Sequence, residues 1–153
     1  MKPTQIIRNI CIGIIDGITI PLALVACLTQ LVKAPATIVV ACIAVIIGGS
    51  VTMAAGGYME AKKYEPSSHN LPSALLIGLS YFCGGLLVTL PFIFFSNPHN
   101  ALVYSVIVSV FLLTVAGYLD SSINNSAGWK GAVRVVITGL LAATSAYLVA
   151  GLF

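Results

Sequence analysis

The stretch Ile6–Val32 reads IIRNICIGIIDGITIPLALVACLTQLV. This apolar run decides the fold, because it exceeds the ~20 residues that a helix needs to cross the hydrocarbon core of a bilayer. Its only acidic residue is Asp16, followed at once by Gly17. A charged side chain at the centre of a membrane helix costs ~2.5–3.5 kcal/mol on insertion scales, so it usually faces a bundle interior, a water-filled cavity or a cation. Asp16 is therefore the first candidate for a functional residue.

The whole chain has the composition of an integral membrane protein. Of its 153 residues, 59% are hydrophobic and 7% are charged, whereas soluble domains carry about 25% charged residues. Polar breaks divide the chain into apolar segments at about 5–32, 36–61, 72–96, 99–119 and 130–152. None of them alternates as barrel strands do. We predict an all-α integral membrane fold, with five transmembrane helices in a single domain over 1–153 and the first helix retained rather than cleaved.

The basic residues predict the orientation of the bundle. With a cytoplasmic N-terminus and five crossings, Lys33 alone lies outside, as the positive-inside rule requires. The basic residues on the inside are then Lys2, Arg8, Lys62, Lys63, Lys130 and Arg134. This asymmetry accounts for the net charge of +3, so the lipid bilayer is an expected partner and nucleic acid is not. The small size and short loops favour a prokaryotic plasma membrane over an organelle membrane.

The turn that follows Asp16 contains further oxygen atoms. Pro21 has no N–H to donate to the carbonyl of Gly17, which lies beside Asp16. Thr19 adds a hydroxyl, so the segment could offer two or three hard oxygen ligands to a cation. The alternative is a proline kink in which Thr19 bonds back to its own helix, with Asp16 protonated or hydrogen-bonded to a neighbouring helix.

The second apolar segment contains GGSVTMAAGGYME, residues Gly48–Glu60. Helical spacing predicts one row of Gly48, Thr52, Gly56 and Glu60 and an adjacent row of Gly49, Met53, Gly57 and Ala61. Small residues at this spacing usually serve helix packing. Met53 can fill a gap in such a row, or its soft thioether can favour a transition metal over magnesium or calcium when a carboxylate is also present.

Two stretches resemble the signature of the vacuolar iron transporter family, which includes vacuolar iron and manganese carriers and nodulin-like membrane proteins. They are DGITIPLALVA (Asp16–Ala26) and GGSVTMAAGGYMEAKK (Gly48–Lys63). The resemblance continues through GLSYFCGGLLVTLPF (Gly78–Phe92) and GLLAATSAYLVAGLF (Gly139–Phe153). It implies a homodimer whose first helices flank a pathway that carries Fe²⁺ or Mn²⁺ out of the cytoplasm in exchange for protons. The metal is then the transported substrate, and no permanently bound cofactor is expected.

The resemblance assigns residues by position. The family's membrane aspartate and methionine correspond to Asp16 and Met53. After the methionine the family usually has a Gly-Glu-Tyr sequence, whereas this chain has Gly57 before Tyr58, so one membrane glutamate is missing. Glu60 is the candidate substitute; the alternative is an interfacial acid paired with a neighbouring lysine. The predicted pathway or helix-packing residues are Gly17, Thr19, Pro21, Gly49, Thr52, Gly56 and Gly57.

A second departure concerns the connection between the second and third helices. Iron-transporting members of the family carry a Glu-rich cytoplasmic helical domain there. This chain has only the segment Tyr64–Leu71, with Glu65 and His69. Any metal-gathering function of that domain is therefore expected to be absent.

An enzyme is not expected, because no catalytic triad, phosphate loop or zinc-hydrolase pattern is present. The cysteines are expected to be small buried hydrophobic residues, and they are Cys11, Cys27, Cys42 and Cys83. Two hypotheses remain: a transporter of Fe²⁺, Mn²⁺ or both, and a non-transporting membrane scaffold or partner protein that keeps the fold. A structure in which Glu60 faces Asp16 and Met53 favours the transporter.

Overall fold

The fold of the protein is known from a computed structural model, which describes residues 3–64, 70–124 and 126–152. The helices are α1 (Pro3–Leu31), α2 (Pro35–Tyr64), α3 (Asn70–Thr89), α4 (Pro91–Phe94), α5 (Pro98–Ile123) and α6 (Gly128–Ala150). Across these ranges, five stretches are long and apolar enough to cross a membrane. The prediction of an all-α bundle with five membrane-spanning helices is confirmed. Lys2, Glu65 and His69 lie outside the described residues.

The third crossing, predicted as one segment 72–96, is one span over Leu71–Phe94 that loses a backbone hydrogen bond at Pro91. It consists of α3, a turn at Leu90 and the short α4. Pro91 begins α4 and has no N–H to continue the hydrogen-bond ladder of α3. The break is bonded locally, because the Thr89 hydroxyl donates to the Gly85 carbonyl at 3.0 Å and the Leu90 N–H donates to the Leu86 carbonyl at 2.9 Å.

The fourth crossing begins one residue earlier and ends four residues later than the predicted 99–119. Its first turn is capped by Asn97, whose side chain accepts a hydrogen bond from the His99 N–H at 3.0 Å. An N-cap side chain satisfies a backbone donor that has no partner within the helix. At the other end, Asp120 lies within the helix and does not end it, and its carbonyl accepts a bond from the Asn124 N–H at 3.3 Å.

The first helix is the centre of the bundle. It packs most closely on α3, then on α6 and α5, and only to a small extent on α2, which is held mainly by α3. The core around it joins Ile18 and Leu22 of α1 to Ile46 of α2 and Leu113 of α5, all fully buried. Because lipid is as apolar as these side chains, close packing and polar contacts hold the bundle together.

Two buried serines of α5 permit a matched test of this packing. The Ser105 hydroxyl donates to the Val88 carbonyl at 2.7 Å and so ties α5 to the end of α3, whereas the Ser109 hydroxyl has no hydrogen-bond partner among the described residues. We expect Ser105→Ala to lower the free energy of unfolding by about 1 kcal/mol and Ser109→Ala to change it by less than half as much. Denaturant titration of the two variants in detergent micelles measures this difference, and equal losses would show that the Ser105 bond contributes nothing.

Candidate functional site

Asp16 lies halfway along α1, on a face of that helix that the described residues leave partly exposed. Its neighbours one turn away on this face, Ile12 and Ile20, are 38% and 48% exposed, and Asp16 itself is half-buried. On the opposite side of the helix, Ile18 and Leu22 are fully buried. We call the surface formed by Ile12, Asp16 and Ile20 the Asp16 face. The carboxylate therefore lies midway along a helix that is long and apolar enough to cross the membrane, on a partly exposed face.

Glycines fix the rotation of α1 that gives Asp16 this position. A Cβ atom at Gly17 would lie 2.7 Å from the Tyr81 Cα, and one at Gly13 would lie 2.7 Å from the Ser80 Cβ. Both distances are shorter than any real side chain tolerates, so only glycine allows α1 and α3 to approach this closely. The glycine side of α1 faces α3, and Asp16, one position before Gly17, stands beside that contact.

The expected oxygen ligands near Asp16 lie on either side of the Asp16 face. The Gly17 carbonyl, left without a donor by the buried Pro21, faces α3, where it would lie 3.3 Å from a Cβ at Gly85. The Thr19 hydroxyl donates to the Ile15 carbonyl at 2.8 Å. It faces α6, 3.8 Å from the position of a Cβ at Gly139. Thr19 therefore bonds back to its own helix, as the alternative interpretation of this segment expects.

The two rows of α2 have different surroundings. Gly49, Met53, Gly57 and Ala61 are all half-buried, and Gly48, Thr52, Gly56 and Glu60 are all exposed. A Cβ at Gly49 would lie 2.5 Å from the Tyr81 ring, and one at Gly57 would lie 2.8 Å from the Ile77 Cδ1. A Cβ at Gly48 or Gly56 would meet nothing within 4 Å in the described chain. The Met53 row therefore packs on α3, and the Thr52 row is a free surface.

Tyr81 connects these two regions, and sequence reasoning missed it. The side chain is 1% exposed. Its backbone lies against Gly17 of α1 and its ring lies against Gly49 of α2. Tyr81 therefore contacts α1 at the residue that follows Asp16. In the sequence, the four-residue spacing of Gly13 and Gly17 indicates that another helix packs closely on α1. It does not identify Tyr81 as the residue that does so.

The structure does not bring all the predicted ligands together in one chain. Met53 faces α3 and Asp16 lies on the Asp16 face, while Glu60 is exposed near the end of α2. The Thr52 hydroxyl donates to the Gly49 carbonyl at 3.0 Å. Among the described residues, no three His, Cys, Asp or Glu side chains are grouped so that they could hold a metal ion. Within one chain, Glu60 lies on the exposed Thr52 row, whereas Met53 lies on the row that packs on α3.

The cysteines follow the prediction only in part. Cys11 and Cys42 are buried as expected, whereas Cys27 is half-buried and Cys83 is exposed. Cys83 lies on the outer side of α3, where the expected surroundings are lipid. A small apolar side chain is tolerated on such a surface, so burial was not required there.

Comparison with known sequences agrees with the fold. The model of the VIT family matches residues 7–70 and 62–151. "Vacuolar iron transporter 1" of Oryza sativa subsp. japonica is 24% identical over 94% of this chain and 83% of its own length. The protein of the same name from Arabidopsis thaliana is 22% identical over 95% and 85%. "Protein CCC1" of Saccharomyces cerevisiae is 24% identical over 94% and 67%.

These comparisons also bear on size and location. The alignment with the rice protein is 210 positions long, longer than the whole 153-residue chain, so that relative has residues that this chain lacks. The relatives are plant and fungal proteins, most of them named as vacuolar, which does not favour the expected prokaryotic plasma membrane. The two family matches together cover nearly the whole chain, including both stretches that carried the resemblance. This chain therefore belongs to the VIT family.

Proposed function

We propose that this protein carries divalent transition-metal ions, Fe²⁺, Mn²⁺ or both, out of the cytoplasm in exchange for protons, through a pathway at the interface of a homodimer. Support for metal transport comes from its family and from relatives named as iron transporters. The chain belongs to a family of multi-pass membrane transporters and not of enzymes. The choice of ion, the proton exchange and the dimer are inferred from the family resemblance together with the position of Asp16.

One observation carries the proposal: the half-buried Asp16 lies on the Asp16 face, which the described part of the chain leaves partly exposed. If that face met acyl chains, the charged carboxylate would cost ~2.5–3.5 kcal/mol. A second copy of the chain placed against the same face would exclude lipid from it. The surface would then line an internal pathway. There the carboxylate could bind a cation instead of facing lipid.

Charge balance favours a two-fold arrangement. A symmetric dimer brings the same residue from both subunits to its axis. Two Asp16 carboxylates can neutralise one divalent cation, and a single carboxylate cannot. Protonation of the carboxylates would remove this attraction and release the metal. Proton exchange thus needs no titratable group beyond the ligands themselves.

Other surfaces of α2 fit the same arrangement. The Thr52 row presents Gly48 and Gly56 with nothing within 4 Å of a Cβ at either position in the described chain. Small residues allow two helices to approach closely in a membrane. Contact through this row would bring α2 of each subunit towards the dimer axis, with Met53 on the adjacent row. Glu60, at the end of the row, would then lie at the mouth of the pathway.

Met53→Leu tests the role of the thioether. Leucine has nearly the same volume, so we expect stability to change by less than 1.5 kcal/mol. We expect Fe²⁺ uptake to fall about tenfold while Mg²⁺ leak is unchanged, because sulfur favours the softer ion. Uptake of each ion by proteoliposomes gives the ratio. Met59→Leu, at an exposed position of the same helix, is the control and should behave as the unaltered protein. An unchanged Fe²⁺ to Mg²⁺ ratio in Met53→Leu would remove Met53 from the pathway.

The second candidate, a non-transporting membrane scaffold, is favoured by Gly57. A Cβ there would lie 2.8 Å from the Ile77 Cδ1, so this position faces α3 and serves packing in this chain. The two candidates differ in a direct measurement on the unaltered protein. Transport predicts saturable Fe²⁺ uptake into proteoliposomes with an acidic interior, together with thermal stabilisation by the metal. Neither effect is expected of a scaffold.

A further inference from the structure

A polar pocket and an apolar groove lie side by side at the end of the bundle that carries the α1–α2 turn. The pocket, about 360 Å³, is lined by side chains that include Lys33, Asn97 and His99. The groove, about 490 Å³, lies between the start of α2 and α4. Ser96 lines both. The two therefore form one continuous surface with a polar and an apolar part.

The polar part is suited to an anion. Lys33 is exposed and is the one basic residue of the sequence near this turn. The acidic residues of the chain lie elsewhere: Asp16 in the middle of α1, Glu60 and Asp120 towards the opposite ends of α2 and α5, and Glu65 beyond α2. Among the described residues, no Asp or Glu side chain lies at this end of the bundle to compete for Lys33. The His99 side chain is exposed beside it and adds a hydrogen-bond donor.

The apolar part is suited to a hydrocarbon chain. Its walls include Val39 and Val40 of α2 and Phe92 and Ile93 of α4. Val40 is 68% exposed and Ile93 is 61% exposed. From Pro35 to Val40 the groove follows α2 for roughly 7.5 Å into the membrane, at 1.5 Å per residue. It lies at the opposite end of α2 from the rows that contain Thr52 and Met53.

We propose that this surface binds one anionic phospholipid, with its phosphate at Lys33 and His99 and one acyl chain along the groove. A free anion would occupy only the pocket, and a zwitterionic lipid would bring its headgroup cation close to Lys33 and so weaken the attraction of its phosphate. An anionic amphipath suits both parts, which meet at Ser96. Basic residues near a membrane surface each add to the binding of anionic lipids. The site is separate from the Asp16 face.

Native mass spectrometry of the solubilised full-length chain tests the site, with phosphatidylglycerol and phosphatidylcholine of equal chain length as probes. We expect the chain to retain phosphatidylglycerol preferentially. Lys33→Gln should reduce that retention about fivefold. Lys62→Gln removes an exposed charge near the other end of α2 and should leave the retention unchanged.

A second pair of variants tests the groove independently of charge. Val40→Trp places a large ring in the groove and should reduce phosphatidylglycerol retention about threefold or more, because the acyl chain loses apolar contact. Val103→Trp, at a similarly exposed position of α5, should have no effect. Equal retention of the two lipids, equal effects of the two lysine variants, or retention of glycerol phosphate as strong as that of the lipid would each overturn the proposal.

Discussion

Asp16→Asn is expected to abolish Fe²⁺ transport in proteoliposomes while leaving the protein folded and assembled. Asparagine has nearly the same size as aspartate but carries no charge. At an effective dielectric constant near 20, each unit charge about 4 Å from another unit charge contributes about 4 kcal/mol. A dimer loses two such carboxylates. Uptake should therefore fall by at least about a hundredfold, to the level of protein-free vesicles.

Two further variants show whether the loss is specific. Asp120→Asn removes a half-buried carboxylate in the last turns of α5 and should retain full uptake. Asp16→Glu keeps the charge but moves it by one methylene, so partial uptake is expected. Elution of each variant at the volume of the unaltered protein in size-exclusion chromatography controls for assembly. Uptake by Asp16→Asn equal to that of the unaltered protein would exclude the proposed mechanism.

Gly17→Ala is expected to lower the free energy of unfolding by about 3 kcal/mol, at the upper end of the cost of overpacking. The new Cβ would lie 2.7 Å from the Cα and 2.9 Å from the carbonyl carbon of Tyr81. These are backbone atoms of a buried helix, so relief requires α1 and α3 to separate. Denaturant titration in micelles, followed by circular dichroism, measures the loss.

Gly56→Ala is the matched control for this prediction. It makes the same chemical change in a helix, at a position where a Cβ would meet nothing within 4 Å in the described chain. Alanine favours a helix over glycine by about 1 kcal/mol, so in the monomeric protein, where the proposed dimer contact through this row is absent, this variant should be unchanged or slightly more stable. Equal effects at the two positions would show that the close approach of α1 to α3 at Gly17 does not limit stability.

The number of crossings followed directly from the sequence, since each apolar segment is long enough to span the membrane and is bounded by turn residues. Asp16 also stood out, because a membrane helix rarely carries a carboxylate. The break at Pro91 depended on a proline inside an apolar run, which composition alone does not separate from a continuous helix. A candidate site residue could therefore be predicted where its side chain, like the Asp16 carboxylate, differs clearly from the apolar residues around it.

The packing of α2 and the role of Tyr81 could not be predicted in this way. Periodicity showed that Gly49 and Met53 share a row, but α2 is apolar on most sides, so nothing indicated which row faces α3. Tyr81 is buried because glycines on two other helices make room for it. Such a fit depends on which helices are neighbours, and that information lies in the fold rather than in any one segment.

The most direct test of the central claim is anomalous diffraction from crystals of the dimer soaked in Mn²⁺. The claim is that the Asp16 carboxylate lies within the membrane because it binds the transported cation. We predict an anomalous peak on the two-fold axis, within about 2.6 Å of an Asp16 carboxylate oxygen from each subunit. Asp16 side chains that face lipid, with Mn²⁺ bound only elsewhere, would contradict the account.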